Sequence, residues 1–384
     1  MKFLHISDLH IGKRVNEFSM IPDQKYILKQ ISDIAVSESV DAVLIAGDIY
    51  DKPVPSAEAV QIFDRFLTGL ADFGKKVFAV SGNHDSPERI AFGAQLMSGR
   101  GVHVSPVYEG EAACRILSDA YGEIGVYLLP FIKPAIVRHA LEGEPECPVP
   151  ESYQDAVKLA VDRMEIDGTR RNILIAHQFV TGAGRCDSEE AAVGGLDNVD
   201  GSVFDRFDYV ALGHIHSPQS VGRECVRYCG TPLKYSFSEA EQEKSVTIVE
   251  LREKGQIQLS TVPLRPLHDM RKIRGAYLEV MSKSFYQDTD TEDYVQITLT
   301  DEEDIPDGLQ RLRTVYPNLM RLTYDNSRTR QDQDVDVAEM VEQKSELELF
   351  GEFYELQNNQ PMSGEQHNFV KKMIENLAGG GYEA

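Results

Sequence analysis

Five short apolar runs along the chain each end in side chains that can hold a metal ion or move a proton. FLHI (residues 3–6) runs into SDLH, VLIA (43–46) into GDIY, VFAV (77–80) into SGNHD, ILIA (173–176) into HQ, and YVAL (209–212) into GHIH. Unbroken apolar runs of this length read as strands buried on both faces. In α/β sheets the ligand crevice lies beyond the carboxyl ends of the strands. Residues distant in sequence are therefore expected to converge there: Asp8, His10, Asp48, Asn83, His84, Asp85, His177, His214 and His216. Taken singly, Asp8 or Asp48 could serve a turn, Asn83 a left-handed position, and a lone histidine is more often structural. Five strand ends carrying metal-competent groups are hard to obtain from turn chemistry alone.

The text between the runs supplies helices. Tyr26, Ile27, Ile31, Ile34 and Ala35 fall at helical spacing, as do Val60, Phe63, Phe66, Leu67 and Leu70. The expected fold class is α/β, a β-sandwich flanked by helices, with a sixth run at 126–129. Residues 226–264 are strand-like and are expected to form a second sheet closing the same domain. A change of character follows Pro263 and Pro266. Beyond it, strands at 277–280 and 294–299 and a helix over 308–316, ended by Pro317, predict a small α+β module. Residues 325–336 have almost no apolar side chain and read as an exposed linker. Val341, Leu347, Leu349, Phe350, Phe353, Tyr354 and Leu356 then mark one helix, and Phe369, Met373, Ile374 and Leu377 a second after the break at 361–364. Two short helices after a polar linker can hardly bury such faces alone, so they await either a partner protein or the body of their own chain.

Thirty-nine Lys and Arg stand against 62 Asp and Glu, a net charge of −23. That balance argues against holding nucleic acid by bulk charge; an anionic substrate must be held locally. Small basic clusters occur at Lys13-Arg14, Arg170-Arg171 and Arg271-Lys272 with Arg274. The five cysteines form no CxxC pair, no apolar stretch approaches a membrane span, and Asp8 and His10 interrupt the start where a signal peptide needs an apolar core. A cytoplasmic protein is expected. No GxxxxGK[ST] sequence occurs, so nucleotide hydrolysis would have to come from another chain. Carboxylate, imidazole and amide donors without thiolate suit Mn(II), with Fe(II) and Zn(II) as alternatives and Mg(II) less apt. Seven ligands exceed what one ion needs, whereas two ions bridged by a carboxylate would use them.

The blocks DxH (Asp8, His10), GD (Asp48), GNHD (Asn83, His84, Asp85), His177 after its strand, and GHxH (His214, His216) follow in order over about the first 220 residues. In this the chain resembles the calcineurin-like metallophosphoesterases. MKFLHISDLHIGK, GDIYDKPVPS, YCGTPLKYSFSEAE and the late SELELFGEFYE narrow the resemblance to the SbcD-type nuclease subunits of that superfamily. The resemblance implies a metallophosphoesterase nuclease domain over 1–266, a DNA-capping α+β domain over 267–325, a linker over 326–338 and C-terminal helices for ATPase partner binding over 339–384. It implies that Asp8, His10 and His216 hold one ion, that Asn83, His177 and His214 hold the other, and that Asp48 bridges them. His84 would contact the scissile phosphate and assist the leaving oxygen, while Asp85 either orients His84 or caps a turn. Archaeal members carry a further His after the GD block, where this chain has Ile49, Tyr50 and Asp51.

The implied activity is Mn(II)-dependent hydrolysis of DNA as exonuclease and endonuclease, ATP-dependent on duplex ends, in DNA repair, recombination and replication. The implied partner is an SbcC-type ATPase with a coiled coil, in a heterotetramer built on a homodimer of this chain, with no membrane. A small-molecule phosphodiesterase or phosphatase of the same superfamily is the competing enzyme reading, but it has no need of a capping module and partner helices. An adaptor that has lost activity is a third, and the intact ligand set speaks against it.

Overall fold

The computed structural model describes residues 1–144, 147–184, 186–189, 198–327, 329, 347, 350, 351, 354 and 362–379. Its strands are, in chain order, β1 (Lys2–Ile6), the hairpin β2 (Arg14–Val15) and β3 (Phe18–Ser19), β4 (Ala42–Ala46), β5 (Lys76–Val80) and β6 (Val102–Val104). There follow β7 (Ala113–Asp119), β8 (Gly122–Leu129), β9 (Arg171–His177), β10 (Tyr209–Gly213), β11 (Gln219–Val221) and β12 (Arg223–Tyr228). Last come β13 (Ser245–Leu251), β14 (Ile257–Pro263), β15 (Met270–Gly275), β16 (Tyr294–Leu299) and β17 (Leu319–Tyr324). All six apolar runs lie in strands.

Two six-stranded sheets result, ordered β14-β13-β1-β4-β5-β6 and β11-β12-β10-β9-β8-β7. β1, β4, β5 and β6 are parallel, and so are β8, β9, β10 and β12. The expectation that residues 226–264 build the second sheet holds only for β12. β13 and β14 return to the first sheet, with Leu4 opposite Ile248. The reason lies in β13 itself, which is apolar on both faces. Val246 and Ile248 join the core under the helices, Val249 and Leu251 the core between the sheets, so only an interior position beside β1 buries both sets.

The inner strands are buried throughout, and the core that each side chain joins alternates with period two. Phe3, Leu44, Phe78, Val126, Ile173 and Tyr209 meet between the sheets. Val43, Ile45 and Val77 face α1 (Ile21–Ser37) and α2 (Ala57–Asp72), where Ile27, Ile31, Phe63, Phe66 and Leu70 cover them. Tyr26 and Val60, expected on those covered faces, are exposed. The short helices α3 (Pro87–Ile90), α4 (Ala94–Ser98) and α5 (Pro134–Ala140) follow strand ends. Leu174, Val210 and Leu212 pack against α6 (Tyr153–Asp162) through Ala156, Val157 and Ala160. The layers are therefore helix, sheet, sheet, helix, which keeps all parallel strand ends anchored in packed cores.

The strands β15, β16 and β17 form a third sheet in that order. Residues 277–280, expected as a strand, are instead the short helix α7 (Tyr277–Val280). The Asp301 carboxylate accepts from the Tyr277 N–H at 2.7 Å and the Val280 N–H bonds the Ala276 carbonyl, which closes a helical turn in an apolar text. After α8 (Lys283–Tyr286), the expected helix over 308–316 is the shorter α9 (Gly308–Leu312), followed by turns. Two compact units are distinguished: Met1–Ile273 with Met281–Ile297 and Leu309–Leu322, and Arg274–Val280 with Thr298–Gly308 and the described residues from Thr323. In the second unit α10 (Gly364–Gly379) starts where the break at Gly364 predicts, and Phe369 and Met373 on it are exposed. Leu347, Phe350 and Tyr354 are helical, whereas Val341, Leu349, Phe353, Leu356 and most of the linker lie outside the described residues. No helix among the described residues is long and apolar enough to cross a membrane.

Candidate metal centre

The loops after β1 and β4 are zipped together: the Asp8 N–H donates to the Gly47 carbonyl at 3.0 Å and the His10 N–H to the Asp48 carbonyl at 2.9 Å. Asp8, His10, Asp48 and His214 all adopt positive φ, between 43° and 100°. Non-glycine residues in that region are uncommon and cost free energy, and here they turn each side chain back over its own strand end. The parallel neighbours β9 and β10 bring in His177, His214 and His216 from the facing sheet.

The donors converge as two overlapping halves. In one, Asp8, His10 and His216 lie close enough to share an ion, with the Nε2 atoms of His10 and His216 3.2 Å apart. In the other, the Asn83 Oδ1 lies 2.9 Å from His177 Nε2 and 3.0 Å from His214 Nδ1. Asp48 Oδ2 lies between, 3.4 Å from His177 Nε2, 3.7 Å from His10 Nε2 and 3.9 Å from His84 Nε2. Asp8, Asp48 and His177 also form a group of their own. All seven residues are buried except Asn83, which is half-buried like His84.

A cation fits this donor set. Burial pushes the His10 and His216 imidazoles toward their neutral forms, so their Nε2 atoms, 3.2 Å apart, can turn lone pairs toward an ion. Burial also raises Asp8 to about 7 against the pull of the His177 charge. Burial works against the charge of His177, yet the Asp48 and Asp8 carboxylates lift it to about 9. The pocket is short of positive charge, and a divalent ion supplies what a proton on His177 otherwise provides. His177 Nδ1 donates to the Ala46 carbonyl at 2.8 Å, which turns Nε2 toward the Asn83 and Asp48 oxygens, where a bound ion would take the place of its proton.

His84 also lies close enough to His10 and Asp48 to share an ion with them, but it stands at the half-open edge of the cluster. Its Nδ1 donates to the Asp51 carbonyl at 3.1 Å, its N–H donates to Asp48 Oδ1 at 2.9 Å, and its ring meets His10 edge-on at the half-open rim. Asp85 does not orient it. The Asp85 carboxylate accepts the N–H groups of Ile49, Tyr50 and Gly82 at 2.9–3.0 Å and so ties the loop after β4 to the loop after β5. Asp51 pairs with Lys13 at 2.9 Å and stands 3.8 Å from His10 Nδ1.

Several supporting residues escape a reading of the sequence. His216 Nδ1 is 2.7 Å from the Ser188 hydroxyl, which donates to Glu239 at 2.5 Å; Glu239 in turn pairs with buried Lys244 at 2.6 Å. Glu189 accepts the His216 N–H at 2.6 Å. Only Glu239 lies in one of the distinctive blocks, YSFSEAE; Ser188 and Glu189 sit in a stretch without periodicity. Of the basic clusters, Arg171 is not a surface charge: it is buried against Asp119 and three carbonyls. Arg271 and Arg274 pair with Asp293 and Asp325.

Gly213 shows how tightly the strand ends approach. A Cβ there would be driven into the Ala46 carbonyl and the His177 ring. Gly213→Ala is expected to destabilise the chain by roughly 3 kcal/mol or more, read as a lowered midpoint in urea unfolding.

Comparison with known proteins gives the family. The calcineurin-like phosphoesterase family matches residues 1–218, and a family described as the type 5 capsule protein repressor C-terminal domain matches residues 266–358. A curated relative from Staphylococcus epidermidis, the SbcD subunit of nuclease SbcCD, is 29% identical over 383 residues, covering 97% of this chain and 98% of the relative. Among solved structures, a dimetal phosphatase from Danio rerio aligns with 70% of this chain and 98% of its own at 13% identity and TM-score 0.43. TT1561 of Thermus thermophilus aligns with 68% and 98% at 15% identity and TM-score 0.39. Since one family match runs from the first strand through the last histidine block and the second covers the region beyond it, the chain belongs to the calcineurin-like phosphoesterases, as a metal-dependent enzyme of the SbcD type.

Proposed function

We propose that the chain is the nuclease subunit of an SbcCD-type complex and hydrolyses DNA phosphodiester bonds in repair and recombination. The observation that carries the reading is the sharing of Asp48 between two sets of donors that arrive from five strand ends. Asp8, His10 and His216 would hold one divalent ion, Asn83, His177 and His214 the second, with Asp48 common to both. The donor set favours Mn(II). Two such ions, when bound, lower the pKa of water and offset charge gathering on the phosphate oxygens.

The chain's own residues do the rest. His84 stands at the rim with Nε2 toward the cluster and Nδ1 held by the Asp51 carbonyl, so as the imidazolium it would present its second N–H to the departing oxygen. The Ser188–Glu239 relay holds the His216 ring in one orientation, as the Ala46 carbonyl holds His177. Digestion of blunt duplex, hairpin and single-stranded DNA beside a generic phosphodiester, with and without Mn(II), tests the reading. Metal-dependent cleavage of DNA is expected. Turnover of the generic ester with no DNA cleavage would favour a small-molecule phosphodiesterase.

The partner is a coiled-coil ATPase of SbcC type, engaged by the C-terminal helices, in a heterotetramer built on a homodimer of this chain. Phe369 and Met373 on α10 are exposed, which supports a docking face there. The domains that serve these roles are the nuclease core over 1–266, the capping domain over 267–325, the linker over 326–338 and the helices over 339–384. A chain ending near Thr329 is expected to keep its metals and cleave single strands, yet lose the ATPase in a pull-down. Normal ATPase binding by the truncated chain would place the docking site elsewhere.

A further inference from the structure

The sixth apolar run carries no metal-binding group at its end. β8 is parallel to β9, with Leu128 opposite Ile175 and Leu129 opposite Ala176, so it emerges at the same edge as His177. What it delivers is Phe131, whose N–H donates to the Ser81 carbonyl at 2.9 Å and is thereby tied to the end of β5. The ring lies edge-on to His177, centroids 6.1 Å apart, and nearly parallel to His214 at 6.5 Å and 17°. Among the described residues, two other non-histidine aromatic rings contact the cluster's imidazoles. Phe179 and Tyr235 are both buried, whereas Phe131 is only half-buried. Exposed Lys133 stands above the same ring, its Nζ 5.8 Å from the centroid, and has no ion pair among the described residues.

A half-buried aromatic ring beside a phosphate-processing site, tilted against Tyr153 at 6.2 Å and with an unpaired cation above it, is a combination that can hold a nucleotide in a single strand: the base stacks on the ring once Lys133 swings out to meet the neighbouring phosphate. Resting on the nuclease reading, we propose that Phe131 stacks the nucleobase next to the scissile phosphate, on the Asn83, His177 and His214 side of the cluster, and that Lys133 takes a flanking phosphate. In a chain of net charge −23, such a local cradle supplies what bulk charge cannot. Every base has a flat face, so the cradle selects nucleic acid over simple esters without selecting sequence.

The test uses the full chain loaded with Mn(II) and oligodeoxynucleotides in which a single cleavable linkage is flanked by thymidine or by abasic residues. The native chain is expected to cleave the thymidine substrate about tenfold or more faster, in kcat/KM, than the abasic one. Phe131→Ala should bring the thymidine rate down to the abasic rate and leave the abasic rate and the bound metal unchanged, while Phe131→Trp retains the preference. Lys133→Gln should raise KM for both substrates alike. Equal rates for the two substrates in the native chain would overturn the stacking role, and so would loss of metal or of abasic cleavage in Phe131→Ala, which would show a ring that only packs the histidines. Turnover of bis(p-nitrophenyl) phosphate with neither oligonucleotide cut would instead sink the nuclease reading, and this proposal with it.

Discussion

Asp48→Ala is expected to bind neither metal ion and to lose cleavage by on the order of a thousandfold or more. The carboxylate lies within 3.4–3.9 Å of imidazoles from both halves of the cluster, and its other oxygen accepts the His84 N–H at 2.9 Å. Removing it takes away the negative charge that two divalent ions would share. Asp8→Ala, by contrast, should mainly weaken one ion, because Asp8 groups with His10 and His216 while the Asn83 half keeps its own donors. Metal content measured on the two purified variants separates them; two ions retained in Asp48→Ala would sink the shared-ligand assignment. Asp8 also accepts the His214 N–H at 3.0 Å, so its removal should loosen that loop as well.

His84→Ala is expected to behave in the opposite way, keeping both ions and its fold while cleavage falls by about a hundredfold or more. The ring hangs from the Asp51 carbonyl at the half-open rim, and its loss opens no cavity in the strand cores. If His84 acts on the leaving oxygen, the deficit should shrink on a substrate whose leaving group is already a good one, such as a p-nitrophenyl ester. Loss of metal from the variant would identify His84 as a ligand, a placement its 3.9 Å approach to Asp48 leaves sterically open. Equal deficits on both substrates would mean that the ring positions phosphate without passing a proton.

Both variants alter residues that the amino-acid sequence alone marks out. The strand ends were legible because each parallel strand is buried on both faces and must therefore read as an unbroken apolar run, after which the first polar residues belong to the crevice. His177 taken singly reads as a structural histidine; its place directly after ILIA, as one of five strand ends carrying such groups, marks it out. The helices α1 and α2 were equally clear from their periodicity, although Tyr26 and Val60 fall on exposed positions because the apolar stripe is wider than the contact it makes.

Other features depend on partners that no local pattern encodes. β13 crossed to the first sheet because antiparallel pairing with β1 joins residues some 245 positions apart, as in Leu4 with Ile248. Tyr277–Val280 became helical through a carboxylate at Asp301. Ser188, Glu189 and Glu239 reach His216 only after a loop folds back over it, and Asp85 proved to bind three loop N–H groups where its side chain alone offered two roles. What the amino-acid sequence determined by itself is which side chains stand at the ends of buried strands, since burial on both faces is a property of each run. Which nitrogen each histidine turns inward and how deeply each ring is buried were decided by the tertiary structure. Those depend on left-handed backbone at Asp8, His10, Asp48 and His214 and on hydrogen bonds between sheets, and such geometry exists only once the two sheets have packed.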